Sequence, residues 1–305
     1  MQPSFSIATF ADASEQERGL KDWRQRYTQM GSGRFDGSVT QLDFGRVSVS
    51  EERLNVSVAE TTSPPVGKVV LILPASDQSR INGAPREAPG FLHAGGHEIS
   101  VVTASQTQGY YVTLEAADLP GLDLRRTGPL CSIEAYPGAH ELSAWISSVL
   151  ATAPEGLRRS PRELGKVLPG YIVDRVSDLC AFLSGMEHKQ LTETYAQSVV
   201  RRARRHVDAM PHSELSVAAL VRSMDLPEHV VRSAFVQAVG VSPRIWLRHI
   251  RLDGARRAML NPEDARRGVA EIAMENGFYH LGRFAAYYTQ TFHELPIETI
   301  RSVIG

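Results

Sequence analysis

The chain has 305 residues, enough for about two domains, and 42% of them are hydrophobic, which excludes an intrinsically disordered protein. Its formal net charge is −1, but residues 1–188 carry 17 Lys and Arg against 22 Asp and Glu, whereas residues 189–305 carry 16 against 12. A basic segment beside an acidic one is typical of a nucleic-acid-binding domain joined to a different domain. The two cysteines, Cys131 and Cys180, form neither a metal-binding pattern nor a disulfide framework. We expect a cytoplasmic protein, because the sequence also lacks a signal-peptide pattern and an apolar run of membrane-spanning length.

The N-terminal half is predicted to begin with a helix and to continue as strands. Apolar residues between Leu20 and Met30 recur at helical spacing, so residues 1–30 are interpreted as a tail followed by a helix. From Arg34 to Ala117 the apolar residues instead form short runs, which include residues 69–73, 99–102 and 110–114. The pair Asn82-Gly83 is the strongest hairpin-turn signal in the chain. Short strands separated by turns predict an antiparallel barrel or sandwich.

Helical periodicity returns at Glu141, and the first helix of this region is followed by a predicted connector at 154–161. A second helix carries an apolar stripe, and Pro169 is expected near its first turn. The stripe consists of Leu168, Ile172, Val176, Leu179 and Leu183. A long stripe directly before a linker predicts a homodimer paired through it, and packing of the stripe against the chain's own strands is the alternative. We expect the domain linker at 184–190 and a helix over 192–210.

The segment from Leu215 to Pro296 contains one helical unit written twice. In both copies an apolar helix face is followed by a tight turn and a second helix, at an offset of 52 to 53 residues. The matched positions are Val217, Leu220 and Val221 in the first copy and Val269, Ile272 and Ala273 in the second. Such a unit is a helix-turn-helix, whose second helix can enter the major groove of DNA. Residues 244–260 between the copies predict one helix about 25 Å long, which would hold two recognition helices about one DNA turn apart.

This tandem motif is similar to the DNA-binding domain of the AraC/XylS family of bacterial transcription regulators. The residues that carry the resemblance are Leu226, Pro227, Phe235, Gly240, Ser242, Pro243, Trp246, Arg251, Leu252, Ala255, Ile272, Ala273, Gly277, Phe278, Phe284 and Pro296. The sequence departs from the family pattern at Tyr288, where Phe is usual, and at His293, where Gly is frequent. A narrower resemblance to ethanolamine-operon regulators rests on Trp23, Tyr27 and the segments 33–37 and 277–284.

The resemblance implies an α+β chain of two domains. Residues 1–188 would be a sensor with a cupin-like antiparallel barrel and helices, and residues 189–305 an all-α domain with two helix-turn-helix units. It further implies an activator that contacts RNA polymerase. The effector would be a small metabolite or an anionic nucleotide messenger, and the sequence does not choose between them.

The first recognition helix is predicted to run from about Pro227 to Val239. His229, Arg232 and Ser233 match the family's base-reading positions, and these residue types can hydrogen-bond base edges. The alternative is a solvated helix face. We expect this helix to give most of the direct base readout.

The second recognition helix is predicted over about 279–291. The family's base-reading positions fall here on Leu281, Gly282 and Ala286, which offer few hydrogen bonds, so this helix would mainly position the protein through phosphates. The outward residues expected to assist are His280 and Arg283 on this helix and Arg244 and Arg248 on the connecting helix. For the last two, a solvated face is an equal interpretation.

The remaining polar patterns give weaker signals. His93, His97 and Glu98 resemble part of a cupin metal site, but their spacing reads as a turn and too few ligands converge, so no metal, cofactor or catalytic site is expected. Candidate effector contacts are Arg34, Arg80, Arg86 and Tyr110. The preferred function is therefore a ligand-responsive DNA-binding transcription regulator and not an enzyme. The rival is a cupin-type metalloenzyme with a DNA-binding appendage.

Overall fold

The computed structural model describes residues 2–74, 79–85, 89–120, 122–123, 128–185 and 192–304. Its strands are β1 (Ser4–Phe10), β2 (Arg24–Gln29), β3 (Gly37–Asp43), β4 (Val47–Leu54), β5 (Val58–Ser63), β6 (Lys68–Pro74), β7 (Arg80–Ile81), β8 (Ala84–Pro85), β9 (Phe91–Ala94), β10 (Ile99–Val102), β11 (Thr107–Glu115) and β12 (Leu130–Ser132). Its helices are α1 (Ala13–Gln16), α2 (Ala139–Arg159), α3 (Pro161–Ser184), α4 (Tyr195–Asp208), α5 (Val217–Met224), α6 (Glu228–Val239), α7 (Pro243–Leu260), α8 (Pro262–Ala265), α9 (Gly268–Glu275), α10 (Leu281–Phe292) and α11 (Pro296–Ile304). Strands followed by helices confirm the predicted α+β class.

The strands form two antiparallel sheets. The first has the order β1-β3-β4-β11-β6-β9-β12 and the second the order β2-β5-β10-β7-β8. Neither sheet closes on itself in the described part of the chain, since the edge strands β1 and β12 pair only with β3 and β9. The expected closed barrel is therefore wrong. The second sheet ends at β7 and β8, which have only two residues each and therefore offer few backbone hydrogen bonds to a further strand.

The first sheet is covered on both faces, and strand β6 shows how. Val69, Leu71 and Leu73 pack in the core formed with α2 and α3. Val70 and Ile72 point the other way and pack against residues of the second sheet. This alternation follows from the two-residue period of a strand. The N-terminal half is thus a helix layer, a sheet and a second sheet.

The turn at Asn82-Gly83 confirms the predicted hairpin. Asn82 and Gly83 have φ angles of 51° and 80°, and Ile81 pairs with Ala84 across them. Positive φ at both central residues is the requirement of the two-residue turn that suits the twist of a hairpin.

The predicted helix over residues 20–30 is wrong. Arg24–Gln29 is strand β2, in which the fully buried Tyr27 pairs with Glu60 of β5. Strand β1, which the sequence analysis missed, pairs with β3 at the edge of the first sheet. Pairing with a partner far along the chain overrode the local helical spacing, because β structure is decided by tertiary context.

Helices α2 and α3 differ from expectation at their prolines. Helix α2 continues through Pro154, so the connector consists of Ser160, and Pro161 rather than Pro169 occupies the first turn of α3.

The apolar stripe of α3 is buried inside the chain, with Ile172 and Leu179 fully inaccessible to solvent. The stripe is therefore core, and its predicted role as a dimer surface is wrong. The predicted linker at 184–190 and the boundary after residue 188 lie largely outside the described residues.

The C-terminal helices form two small cores joined by one helix. The first core contains Phe235 from α6 and Trp246 from α7, whose rings are 5.1 Å apart. The second contains Met259 from α7 with Phe284 and Tyr288 from α10. Helix α7 therefore contributes its N-terminal part to one unit and its C-terminal part to the other.

No described helix has both the length and the apolar composition that crossing a membrane requires.

The two halves of the chain contact each other along the second sheet and the N-terminal segment. The Gln29 side chain donates to the Thr291 carbonyl at 3.0 Å, and the Thr194 N–H donates to the Asn82 carbonyl at 3.1 Å. The first contact reaches the second helical unit and the second reaches α4 beside the first unit. Both units are thus held against the N-terminal half.

Candidate nucleic-acid interface

The first helix-turn-helix unit is formed by α5 and α6. Ser216 caps α5 by accepting from the Ala219 N–H at 3.0 Å, and Asp225 ends the helix in the left-handed conformation at φ 51°. Helix α6 then begins at Glu228 directly after a proline and ends at Gly240, where φ is 81°. The helix cap, the turn and the glycine at the helix end are all local sequence signals, so both helices can be predicted from the sequence.

Helix α6 presents the predicted base-reading residues to solvent. His229, Arg232 and Ser233 are all exposed, while Val231 and Phe235 on the opposite side are buried. No ion pair to Arg232 occurs among the described residues, so its guanidinium is available for an external acceptor. Val236, 48% exposed, lies one helical turn beyond Arg232 on the same face and was missed as a contact. Its apolar side chain suits a thymine methyl group.

The second unit is formed by α9 and α10, joined by a turn at Asn276–Phe278. Gly277 has a φ of 77°, and a Cβ there would lie 2.9 Å from the His212 carbonyl oxygen, so this position requires glycine. The Asn276 side-chain oxygen accepts a hydrogen bond of 2.9 Å from His212 Nδ1, which ties the turn to the segment before α5. Helix α10 begins at Leu281, two residues after the predicted start.

The outward face of α10 carries the predicted residues of the second recognition helix. His280, Leu281, Gly282 and Arg283 are exposed, and the exposed fraction of Leu281 is 44%. Tyr279, 68% exposed, precedes them and was not predicted as a contact. This face is short of hydrogen-bonding groups, as expected from its sequence.

His293 ends α10 in the left-handed conformation at φ 54°, the position where glycine is frequent in the similar family. Its ring Nε2 lies 2.9 Å from the Ser32 hydroxyl of the N-terminal half. The contact offsets part of the cost of a non-glycine residue with positive φ. The departure therefore leaves the helix end intact.

A groove between the two units is lined by basic side chains. It has a volume of about 400 Å³ and includes Arg244, Arg248 and Arg283. The Arg248 guanidinium lies 4.5 Å from the ring centroid of Tyr287, which fixes its position over the aromatic face. Arg251 from the same helix face instead donates to the Leu215 carbonyl, and burial lowers its pKa below the ordinary value. Arg244 and Arg248 can meet phosphates, whereas Arg251 joins the two units internally.

The basic cluster of α4 has partners inside the protein. Arg201 pairs with Glu193 at 2.7 Å, and Arg204 pairs with Asp208 at 3.1 Å. Arg202 donates to the Met224 carbonyl at 2.7 Å. Arg201 and Arg204 line a cleft of about 370 Å³ facing the second sheet. The partners of these three arginines all belong to the C-terminal half.

The candidate effector residues that the structure describes, Arg34, Arg80 and Tyr110, lie in different parts of the N-terminal half. Arg34 donates to the His293 carbonyl at 3.2 Å, and Tyr110 is buried under α2, where its hydroxyl donates to Ser147 at 3.0 Å. Arg80 lies in the two-residue strand β7, and Arg86 falls outside the described residues. Tyr111, the neighbour of Tyr110, faces the opposite side of the sheet.

His93 is fully buried in β9, and neither ring nitrogen has a hydrogen-bond partner among the described residues. Burial lowers its pKa to about 4, so the ring is neutral at physiological pH. His97 and Glu98 follow the turn at Gly95-Gly96 and directly precede β10. Within the described ranges, no three His, Cys, Asp or Glu side chains group as metal ligands would.

Comparison with known proteins finds similarity in the C-terminal part of the chain. The model described as a helix-turn-helix domain matches residues 220–302. A probable thc operon regulatory protein of Rhodococcus erythropolis is 36% identical over 105 residues, which are 34% of this chain and 32% of that protein. The XylDLEGF operon transcriptional activator 2 of Pseudomonas putida is 25% identical over 135 residues, 44% of this chain and 81% of that protein. The chain thus spans about a third of the first relative.

Solved structures matched by this chain include the AraC-like transcriptional activator CuxR, at 14% identity and a TM-score of 0.42, covering 81% of this chain and 94% of that one. Another is ToxT from Vibrio cholerae O395, at 12% identity and a TM-score of 0.32, covering 94% of this chain and all of that one. The family match coincides with the two helical units built from α5, α6, α9 and α10. Residues 220–302 thus match a helix-turn-helix domain, and the C-terminal part of the chain is similar in sequence to two operon regulators.

Proposed function

We propose that this protein is a sequence-specific transcription regulator of the AraC/XylS type, in which residues 189–305 bind DNA and residues 1–188 bind an effector. One observation carries the proposal: two helix-turn-helix units face solvent with their second helices and are joined by α7. This helix has 18 residues and is about 27 Å long, close to the roughly 34 Å of one DNA turn. The units therefore suit two successive major grooves on one face of the duplex.

The two recognition helices have different roles in this proposal. Helix α6 reads bases through His229, Arg232 and Ser233, and Arg232 suits a guanine because guanidinium can bind O6 and N7 together. Helix α10 approaches the duplex closely at Gly282, and His280 and Arg283 beside it contact phosphates.

The groove between the units supplies further phosphate contacts. Arg244 and Arg248 line it, and their contacts with phosphates do not depend on the base sequence. These contacts make affinity fall with salt, because each neutralised phosphate releases counterions.

The remaining parts of the proposal rest on similarity. The regulator is an activator that contacts RNA polymerase, acts in the cytoplasm and responds to a small molecule. The narrower likeness to ethanolamine-operon regulators depends partly on Trp23 and Tyr27, which border and line β2 rather than a helix. Separate apolar cores in the C-terminal half support a fragment 189–305 that folds alone.

Selection from random-sequence DNA with the full-length protein tests the function. We expect enrichment of two short conserved blocks about 10 base pairs apart, from centre to centre. Arg232→Ala protein, selected in parallel, should lose preference within one block. Recovery of unenriched sequences by the folded wild-type protein at low salt would rule out a sequence-specific regulator.

A further inference from the structure

A set of polar contacts joins the two helix-turn-helix units beside the middle of α7. His212 Nδ1, in the segment before α5, donates to Asn276 Oδ1 in the turn after α9 at 2.9 Å. The hydroxyl of Tyr279, just after that turn, donates to the Ser213 carbonyl at 3.2 Å. We call these four residues, together with Arg251 of α7, the inter-unit junction.

Asn276 has one orientation in the inter-unit junction. Its Nδ2 donates to the Ile272 carbonyl of α9 at 2.8 Å, so its Oδ1 is the end that faces His212. The side chain is buried, with 8% of its surface exposed. A buried amide that is bonded at both ends cannot turn without losing a hydrogen bond. Asn276 therefore holds the segment before α5 at a set distance from α9.

Arg251 contacts both units at once. Its guanidinium donates to the Leu215 carbonyl, directly before α5. It also packs against the turn of the second unit, where a Cβ added to Gly277 would lie 3.0 Å from Cζ of Arg251. One side chain therefore fills the space between the segment before α5 and the backbone of the second turn.

Helix α7 needs this support, because the two units part near its weakest point. Ile250 packs in the first apolar core and Leu252 in the second, and the two cores share no residue in the part of the chain that the structure describes. Gly254 follows within the same helical turn. A glycine inside a helix lowers its local stability, so α7 bends most readily here.

The inter-unit junction also explains why a glycine stands at this position. A Cβ on Gly254 would overlap the hydrogen-bonded atoms of His212 and Asn276. Any other residue would therefore push the bonded pair away from α7. The glycine that weakens the helix is the one that lets the two units join beside it.

A small bend of α7 would change the distance between the recognition helices by a base pair. The helix begins at Pro243, and the part from there to Gly254 is roughly 17 Å long. A bend of about 12° at Gly254 would move the start of α7 by roughly 3.5 Å, and α6 lies just before that end. The rise of one base pair is about 3.4 Å. A protein that distinguishes one spacing from the next must therefore prevent this bend.

We propose that the inter-unit junction fixes the spacing between the two DNA blocks that this protein recognises. His212, Asn276, Tyr279 and Arg251 are then positioning residues for DNA recognition. The bases within each block are read by the recognition helices, and the number of base pairs between the blocks is set by the junction. This inference rests on the proposed DNA-binding function and deepens it.

The contacts with the N-terminal half act at other places. Gln29 reaches Thr291 at the end of α10, and Asn82 accepts from Thr194 directly before α4. Each of these contacts attaches one unit to the N-terminal half. The inter-unit junction differs from them because its hydrogen bonds run from one unit directly to the other.

Two junction variants of the full-length protein test the proposal. His212→Ala combined with Tyr279→Phe removes both side-chain donors between the units and leaves the two apolar cores unchanged. Gly254→Ala makes α7 a better helix former but pushes His212 and Asn276 apart, so it separates the junction from the stiffness of the helix. Ser213→Ala is the matched control, because Ser213 contributes its main-chain carbonyl, which alanine also has.

The first measurement is the distance between the units without DNA. Gln237→Cys on α6 and Glu271→Cys on α9 place nitroxide labels at two exposed positions. The native Cys131 and Cys180 are buried and should not react with the label. Double electron–electron resonance should give one narrow distance distribution in the wild-type background and in Ser213→Ala. Both junction variants should give a broader or shifted distribution.

The second measurement is the tolerance for changed spacing in DNA. A duplex selected from random sequences by the wild type is compared with duplexes that have one base pair inserted or removed between the two blocks. The wild type and Ser213→Ala should lose at least about tenfold in affinity, because a rigid protein cannot reach both blocks at once. The junction variants should lose less than about threefold and keep their base preference within each block.

The outcomes separate this inference from the proposed function. Circular dichroism first verifies that both junction variants are folded. A wild type that tolerates the changed spacing, or a folded junction variant that discriminates as the wild type does, overturns the inference and leaves the regulator in place. A wild type that selects no DNA sequence overturns the regulator, and the DNA role of the junction with it, even where the label distances change.

Discussion

The main-chain carbonyl of Tyr27 accepts a hydrogen bond of 2.8 Å from Nη2 of Arg257, which joins strand β2 to the helix between the two helix-turn-helix units. The same guanidinium pairs with Glu17 of the N-terminal half and at 2.9 Å with Asp253 of its own helix. Beside it, Arg256 pairs with Asp12 and Glu294. Two adjacent arginines on α7 therefore bind the DNA-binding domain to the first 30 residues of the chain.

Arg257→Ala should lower the free energy of unfolding by about 3–5 kcal/mol. Removal of one partner from a buried ion pair leaves the other charge uncompensated, and here Asp253 and Glu17 would both lose their main cation. Urea denaturation measures the change. Arg267→Ala is the matched control, because Arg267 pairs with Asp264 and Glu275 at the surface, where such pairs contribute about 0–1 kcal/mol. Equal losses of unfolding free energy in the two variants would show that the ion pairs of Arg257 stabilise the protein no more than a surface pair does.

Glu60 should make the protein less stable as pH rises from about 4.5 to about 8. Its folded-state pKa of about 8 lies above the ordinary value of 4.5, so the folded protein binds the extra proton in this range and the unfolded chain does not. Stability then falls with rising pH, by an amount on the order of a few kcal/mol for a shift of this size. Glu60→Gln removes the titrating group.

Urea denaturation at pH 5 and pH 8 checks this expectation. The wild type should lose more stability between the two values than Glu60→Gln does, and the variant should be the more stable protein at pH 8. Circular dichroism of both proteins at pH 5 verifies that they share one fold. Parallel pH profiles would show that Glu60 titrates normally in the folded state.

Local signals in the sequence were sufficient for much of this fold. The turn at Asn82-Gly83 needs two residues with positive φ, and the start of α6 after Pro227 needs a fixed φ, so both are encoded within a few positions. The exposed positions of Arg232 and Gly282 follow in the same way from the helical period. These features were predicted correctly because they depend only on residues close together in the sequence.

Contacts between distant parts of the chain could not be predicted from the sequence. Asp12 and Arg256 are 244 positions apart, and Tyr27 reaches Glu52 only because β2 is a strand. The helical spacing around Tyr27 was accidental, and tertiary pairing decided the outcome. The burial of Glu52 and Glu60 could not be predicted for the same reason, since no local pattern distinguishes them from surface glutamates.

Ile172→Glu and Leu179→Glu should each unfold the protein. Both side chains are fully buried in the core between α3 and the first sheet, and an unpaired charge there has no counter-ion. Val167→Glu on the same helix is the control, because Val167 is 65% exposed and should tolerate the charge. Circular dichroism and sedimentation measure folding and mass. A folded Ile172→Glu protein with half the mass of the wild type would show instead that the apolar stripe of α3 forms a dimer interface.

Arg232→Ala and Arg248→Ala should separate base reading from phosphate binding. Arg232 is exposed on α6 and has no ion-pair partner in the part of the chain that the structure describes, so its loss should cost about 1–3 kcal/mol on the specific site and relax preference at one base pair. Arg248 lies over Tyr287 in the groove between the units, so its loss should weaken binding to every sequence alike and reduce the salt dependence. Titrations of specific and random duplexes at two salt concentrations give both quantities. If Arg232→Ala lost the same affinity on random DNA as on the specific site, α6 would not read bases through this residue.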